Sequence, residues 1–119
     1  METVGGRQLC AVRRDVLGHV GNRWSALVMM LLETESRRYS EIRRSCGITP
    51  RMLTLTLHEL ERDGLVARIT RDGDRPQVAY TLTDAGRSLC SILGSLISWS
   101  DRHHDHIIDS RDRFAATAG

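Results

Sequence analysis

The chain contains no lysine: all 17 of its basic residues other than histidine are arginine. Aromatic residues make up 4%, there are 2 prolines and 3 cysteines, and the longest apolar run is the seven residues from Ala26 to Leu32. Each scarcity excludes something. Seven apolar residues are far short of the roughly 20 that a helix needs to span a bilayer. The opening METVGGRQLC has no apolar stretch of the secretory kind, so a cytoplasmic protein without membrane contact is expected. Cys10, Cys46 and Cys90 are odd in number, widely spaced and free of any C-x-x-C pair, which speaks against a disulfide scaffold and for three reduced thiols. Few prolines and no glycine period exclude collagen-like and low-complexity chains.

What is present is one domain's worth of ordinary globular protein. At 119 residues and 13.4 kDa, with 40% apolar and 27% charged residues, the chain can build its own core. The formal net charge is only +2, yet it is unevenly spread. Between Arg37 and His58 stand five arginines (Arg37, Arg38, Arg43, Arg44, Arg51) and a single acid, Glu41. A local basic patch on a nearly neutral chain suits an anionic partner.

Turn and cap residues divide the chain. Residues 10–34 read as N-terminal helices, with a mixed segment from Val12 to Val20, a break at Gly21-Asn22 and then a helix apolar all round, fit for the middle of a core. In residues 40–63, Ser40 opens a short helix that Gly47 ends, and Thr49-Pro50 starts a second that Gly64 stops; two helices about a glycine-bearing turn form a helix-turn-helix. Residues 65–82 hold two strand-like runs about Asp72-Gly73-Asp74-Arg75-Pro76, a hairpin with a charged tip. Thr83 caps a long helix over 84–106, and residues 107–119 are expected to fray. The expected fold is mainly α with a small β-hairpin: a single winged helix-turn-helix domain with N-terminal helices and a long C-terminal dimerisation helix.

On the helix from Pro50 to Asp63, Leu53, Leu57 and Leu60 share one side, while Arg51, Leu55, His58 and Arg62 share the other with Thr54 at its flank. Guanidinium, hydroxyl and apolar groups together suit a major groove, where arginine pairs with guanine and methyl groups touch thymine. A solvated polar face is the alternative reading. The expected DNA contacts are Thr49, Arg51, Met52, Thr54, Leu55 and His58 on this helix. Arg37, Arg38, Arg43 and Arg44 around the preceding helix are expected on phosphates, and Arg71 and Arg75 on the hairpin. Asp72 and Asp74 oppose the last two.

In the C-terminal helix, apolar residues cover about half the circumference, more than one small domain hides. Leu89, Ile92, Leu93, Leu96 and Trp99 are expected to form a dimer interface with a second copy. Asp101 to His106 places three histidines among carboxylates but lacks a second ligand pair, so no metal is expected. Nothing resembles a nucleophile triad, a phosphate loop or paired catalytic carboxylates, so neither an enzyme nor a cofactor is expected.

These motifs resemble the HxlR-type winged helix-turn-helix transcriptional regulators. The resemblance is carried by Gly21-Asn22-Arg23-Trp24, by Arg38-Tyr39-Ser40-Glu41-Ile42-Arg43-Arg44 and by Gly47-Ile48-Thr49. It continues through Met52 to Glu61, Asp63-Gly64-Leu65-Val66, and Tyr80 to Gly86, in that order, over roughly residues 10–100. It implies a dimer that binds a pseudo-palindromic DNA operator and represses or activates genes. It also makes Cys10 the redox candidate, since some members sense oxidants through an N-terminal cysteine. Here Ala11 stands where a proline commonly follows that cysteine, and Leu55 where a polar residue is frequent. Two other functions fit the residues: a winged-helix interaction module without DNA binding, and a sensor of a small molecule held between the long helices.

Overall fold

The computed structural model describes residues 2–118, with side chains from residue 9 onward. In chain order it runs α1 (Glu2–Gly21), α2 (Arg23–Leu31), β1 (Arg37–Arg38), α3 (Tyr39–Cys46), α4 (Pro50–Arg62), β2 (Val66–Arg71), β3 (Gln77–Leu82), α5 (Asp84–Arg102) and α6 (His104–Ala118). This is a winged-helix arrangement. None of these helices is long and apolar enough to cross a membrane.

The boundaries follow from local chemistry. Asn22 Oδ1 accepts the backbone N–H groups of Trp24 and Ser25 at 2.8 and 3.2 Å and so starts α2. Thr83 caps α5 by accepting the Gly86 N–H at 3.1 Å. Asp63 ends α4, and Gly64 then takes left-handed backbone (φ +73°), which a side chain would disfavour. The start of α3 differs from the expectation that Ser40 caps it. The helix begins at Tyr39, because the Glu41 carboxylate reaches back one turn and accepts the Arg38 N–H at 2.7 Å.

The sheet has three strands rather than two, ordered β1-β3-β2 and antiparallel throughout. The hairpin pairs Val66 with Leu82 through to Arg71 with Gln77, and β1 adds Arg37 opposite Tyr80 and Arg38 opposite Ala79. The core lies where α2, α3, α4, α5 and the base of the sheet converge. Val28, Met29, Leu32, Ile42, Leu53 and Leu60 are fully buried there. Each such side chain contributes about 1.5–3 kcal/mol by leaving water.

Two expectations are corrected. The seven-residue apolar run of α2 is not enclosed on all sides, since Leu27 and Met30 are exposed. The segment 107–119, expected to fray, is helical to Ala118. After a one-residue break at His103 the chain meets neither proline nor glycine before Gly119, and alanine, arginine and aspartate sustain the helix.

The molecule is elongated, with extents of 63 × 46 × 26 Å. The radius of gyration, 18.1 Å, well exceeds the roughly 13.5 Å of a compact chain of this length.

Candidate nucleic-acid interface

α4 docks by one face and presents the other. Leu53, Thr56, Leu57 and Leu60 are buried, whereas Arg51, Met52, Thr54, Leu55 and His58 are exposed. Thr49 sets the helix start, its hydroxyl accepting the Met52 N–H at 3.3 Å with Pro50 in the first turn. Leu55 is 49% exposed, an apolar side chain held in water on a face otherwise built of polar groups and Met52. At the far end of the helix Arg62 is engaged within the chain, with Asp63 at 2.9 Å and Asp15 at 3.9 Å.

The other arginines fall into two sets. Arg43 and Arg44 are exposed on α3, and among the described residues neither forms an ion pair. With Tyr39, Ser40, Gly47 and Ile48 they line an open depression of about 500 Å³ beside the start of α4. A concave surface rimmed by guanidinium groups suits a phosphate backbone.

Arg37, Arg38 and Arg71, expected on phosphates, are instead tied into the junction of β1, α3 and the hairpin. Arg37 donates to the Leu31 carbonyl at 3.0 Å. Arg38 donates to Gln77 Oε1 at 2.6 Å. Arg71 donates to Glu41 at 2.9 Å and to the Ser36 carbonyl at 3.1 Å. Glu41 is the hub of this junction. The Arg38 N–H bond holds its carboxyl below the ordinary range; burial opposes this, and the charge and hydrogen bond of Arg71, with the charge of Arg38, add to the lowering.

On the wing, Arg68 pairs with Glu61 at 2.9 Å, which fixes the hairpin to α4. Arg75 is exposed in the turn between β2 and β3. Among the described residues Asp72 and Asp74 pair with no arginine.

The residues expected at a dimer interface divide. Leu89 and Leu93 lie in the chain's own core, 8% and 3% exposed, because α5 turns them toward α2 and the sheet. Ile92, Leu96 and Trp99 face outward, with Ile97 beside them. The Trp99 ring stacks on His103 with centroids 4.3 Å apart. Leu9, Val12 and Leu17 make a second exposed apolar row on α1. Cys10 is exposed on that helix, whereas Cys46 is half-buried and Cys90 buried.

Sequence reasoning missed three functional elements: the Glu41 hub, the contact of Tyr39 with α4, and the pairing of His19 with Asp63. Each joins residues brought together only by the tertiary fold. The Arg-x-x-Glu spacing of Arg38 and Glu41 was the one local signal, since a glutamate three residues on is half of a capping box.

Two helices set about a tight turn, the second with an outward face of polar groups and Met52 and Leu55, the first with exposed Arg43 and Arg44, and a hairpin alongside, define a winged helix-turn-helix protein. The family model of HxlR-like helix-turn-helix proteins matches residues 19–108, and the chain belongs to that family. A transcriptional regulator of helix-turn-helix type from Methanothermobacter thermautotrophicus is 40% identical over 106 residues, covering 88% of this chain and 80% of that one. Among solved structures, the transcriptional regulator ytfH from Salmonella typhimurium superposes with a TM-score of 0.70 at 31% identity, over 84% of this chain and 90% of that one. The redox regulator HypR in its reduced form superposes with a TM-score of 0.69 at 36% identity, over 78% and 93%. These relatives indicate no enzymatic family.

Proposed function

We propose that the protein is a homodimeric, sequence-specific DNA-binding regulator of the cytoplasm that lays α4 of each subunit in the major groove. The observation that carries this reading is the outer face of α4, where Arg51, Met52, Thr54, Leu55 and His58 stand exposed beside Arg43 and Arg44. Guanidinium groups flanking a helix of groove-sized width supply both the phosphate clamp and the base-reading groups. Thr49 positions the start of that helix, and Arg75 on the wing reaches toward flanking phosphates.

Pairing of two copies is supported by α1 and α5, whose outward apolar residues, Leu9, Val12 and Leu17 on the one and Ile92, Leu96 and Trp99 on the other, are exposed. Two recognition helices on a two-fold axis then meet half-sites about 10 base pairs apart. Cys10 on α1 is the residue placed to receive an oxidant, as the likeness to a redox regulator suggests.

Selection of bound sequences from random duplex DNA at one fixed salt concentration tests the reading. The expected product is a near-palindrome with one helical turn between half-sites, and retention that falls steeply with salt. Absence of any salt-dependent retention would leave a protein-interaction module as the function.

A further inference from the structure

Tyr39 is the first residue of α3, and its phenol crosses to α4. The phenol oxygen lies 2.9 Å from the Pro50 carbonyl oxygen and 3.1 Å from the Thr54 hydroxyl oxygen. A carbonyl has no proton to give, so the single phenol proton goes to Pro50. The contact with Thr54 is then a hydrogen bond only if Thr54 donates. A threonine hydroxyl also has one proton. With that proton directed at Tyr39, the rest of the hydroxyl is an acceptor. Thr54 is exposed on the outer face of α4, one residue before Leu55 and one turn after Arg51.

We infer that Tyr39 fixes the polarity of Thr54, so that Thr54 reads the duplex as a hydrogen-bond acceptor and selects a base edge that offers an amino group. In the major groove these edges are cytosine N4 and adenine N6; guanine O6 and thymine O4 are acceptors and are refused. Tyr39 is a positioning residue in this scheme, since it acts through Thr54 and from outside the base-reading set. The inference rests on the DNA-binding reading and names one element of its specificity. Phenylalanine at position 39 would keep the ring and free the Thr54 hydroxyl to donate or accept.

The test compares wild type, Tyr39→Phe, Thr54→Val and the double variant. Each is taken through selection from random duplex, and then titrated on the selected site and its single-base changes at fixed salt. The wild type is expected to prefer cytosine or adenine at one position of each half-site by about fivefold, the size of one net hydrogen bond. Tyr39→Phe is expected to level that position while leaving every other position and the salt slope unchanged. Thr54→Val, which keeps the shape and loses the acceptor, levels the same position, and the double variant adds nothing further. Retention of the preference in Tyr39→Phe, or a loss of affinity spread evenly over all positions, overturns the proton assignment. A wild type that selects no sequence overturns the DNA-binding reading instead, and this inference with it.

Discussion

His19 Nε2 and Asp63 Oδ2 lie 2.7 Å apart although 44 residues separate them in the chain. His19 is 4% exposed on α1, and Asp63 is the residue that closes α4, so this bond fastens the N-terminal helix to the end of α4. The same carboxylate takes two further bonds from Arg62, at 2.9 and 3.0 Å. Chiefly through Arg62, against the opposing effect of burial and with the His19 bond assisting, the Asp63 carboxyl is lowered from 3.8 to about 2. A carboxyl lowered on folding stabilises the protein above its unfolded value, and that contribution is lost as pH falls from about 4 through about 2. Its size is about 1 kcal/mol once solvent screening of the partly exposed group is allowed for. Asp63→Asn should therefore melt at a lower temperature than wild type at neutral pH. The gap should close on acidification across that window, as followed by thermal denaturation. An unchanging gap would show that Asp63 stabilises through packing alone.

Gly86 in the first turn of α5 marks a second close approach. A Cβ built there would meet the Leu65 carbonyl oxygen at 2.1 Å. Because that atom belongs to the backbone, no side-chain rotation relieves the clash, and the Thr83 N–H bond to the same oxygen at 3.1 Å holds it in place. Gly86→Ala is expected to destabilise the fold by about 3 kcal/mol or more, measured by urea denaturation. The opposite is expected at Gly94, which also lies within α5 but has open space around it: Gly94→Ala should stabilise by about 0.5–1 kcal/mol.

How much of this was legible in the sequence follows from the range of each interaction. Thr49-Pro50, Gly64, Thr83 and the Asp72–Pro76 turn act within a few residues, and each lies where its local chemistry puts it. The outward and inward faces of α4 were legible for the same reason, a period of 3.6 over thirteen residues. β1 was not, since two arginines carry no strand pattern and owe their conformation to Ala79 and Tyr80 across the sheet. The roles of Arg37, Arg38 and Arg71 were hidden with it, because their partners at Leu31, Gln77, Glu41 and Ser36 meet only when that strand is in place. Leu89 and Leu93 were misplaced because a helix apolar over half its circumference does not say which part faces its own chain.

The division of the arginines can be measured. Arg43→Ala or Arg44→Ala removes an exposed charge beside α4. Either should weaken binding to all duplexes about equally and reduce the salt slope by about 1. Arg71→Ala removes a guanidinium already neutralised by Glu41 and bonded to the Ser36 carbonyl. It should lower thermal stability and leave the salt slope nearly unchanged. Equal slope losses in all three variants would put Arg71 on the phosphates after all.

Adjacent residues on α5 separate pairing from folding. Ile92 is 58% exposed and Leu93 is 3% exposed. Ile92→Glu puts a charge on the outward face, and is expected to give a folded monomer by sedimentation with unchanged helical content. Leu93→Glu buries an unpaired carboxylate in the core and is expected to unfold the chain, a cost of several kcal/mol. A dimer that survives both Ile92→Glu and Trp99→Glu would move the interface away from this face.

The three thiols are expected to differ in reactivity for reasons visible in their surroundings. Burial pushes the Cys46 thiol up, and it does the same to Cys90, where nearby Glu33 adds to the rise and Arg87 opposes it. Both are therefore poorer sources of thiolate than a free cysteine and harder to reach. Cys10 is exposed on α1, the helix that His19 bonds to the end of α4. In the native protein an alkylating reagent should label Cys10 at least about tenfold faster than the other two, as read by mass spectrometry of its peptides. If oxidation of that thiol regulates DNA binding, Cys10→Ser should bind in reducing buffer like wild type and lose all response to peroxide or diamide. A Cys10→Ser protein that still releases DNA on oxidation would place the sensor at Cys46, the remaining thiol with partial access to solvent.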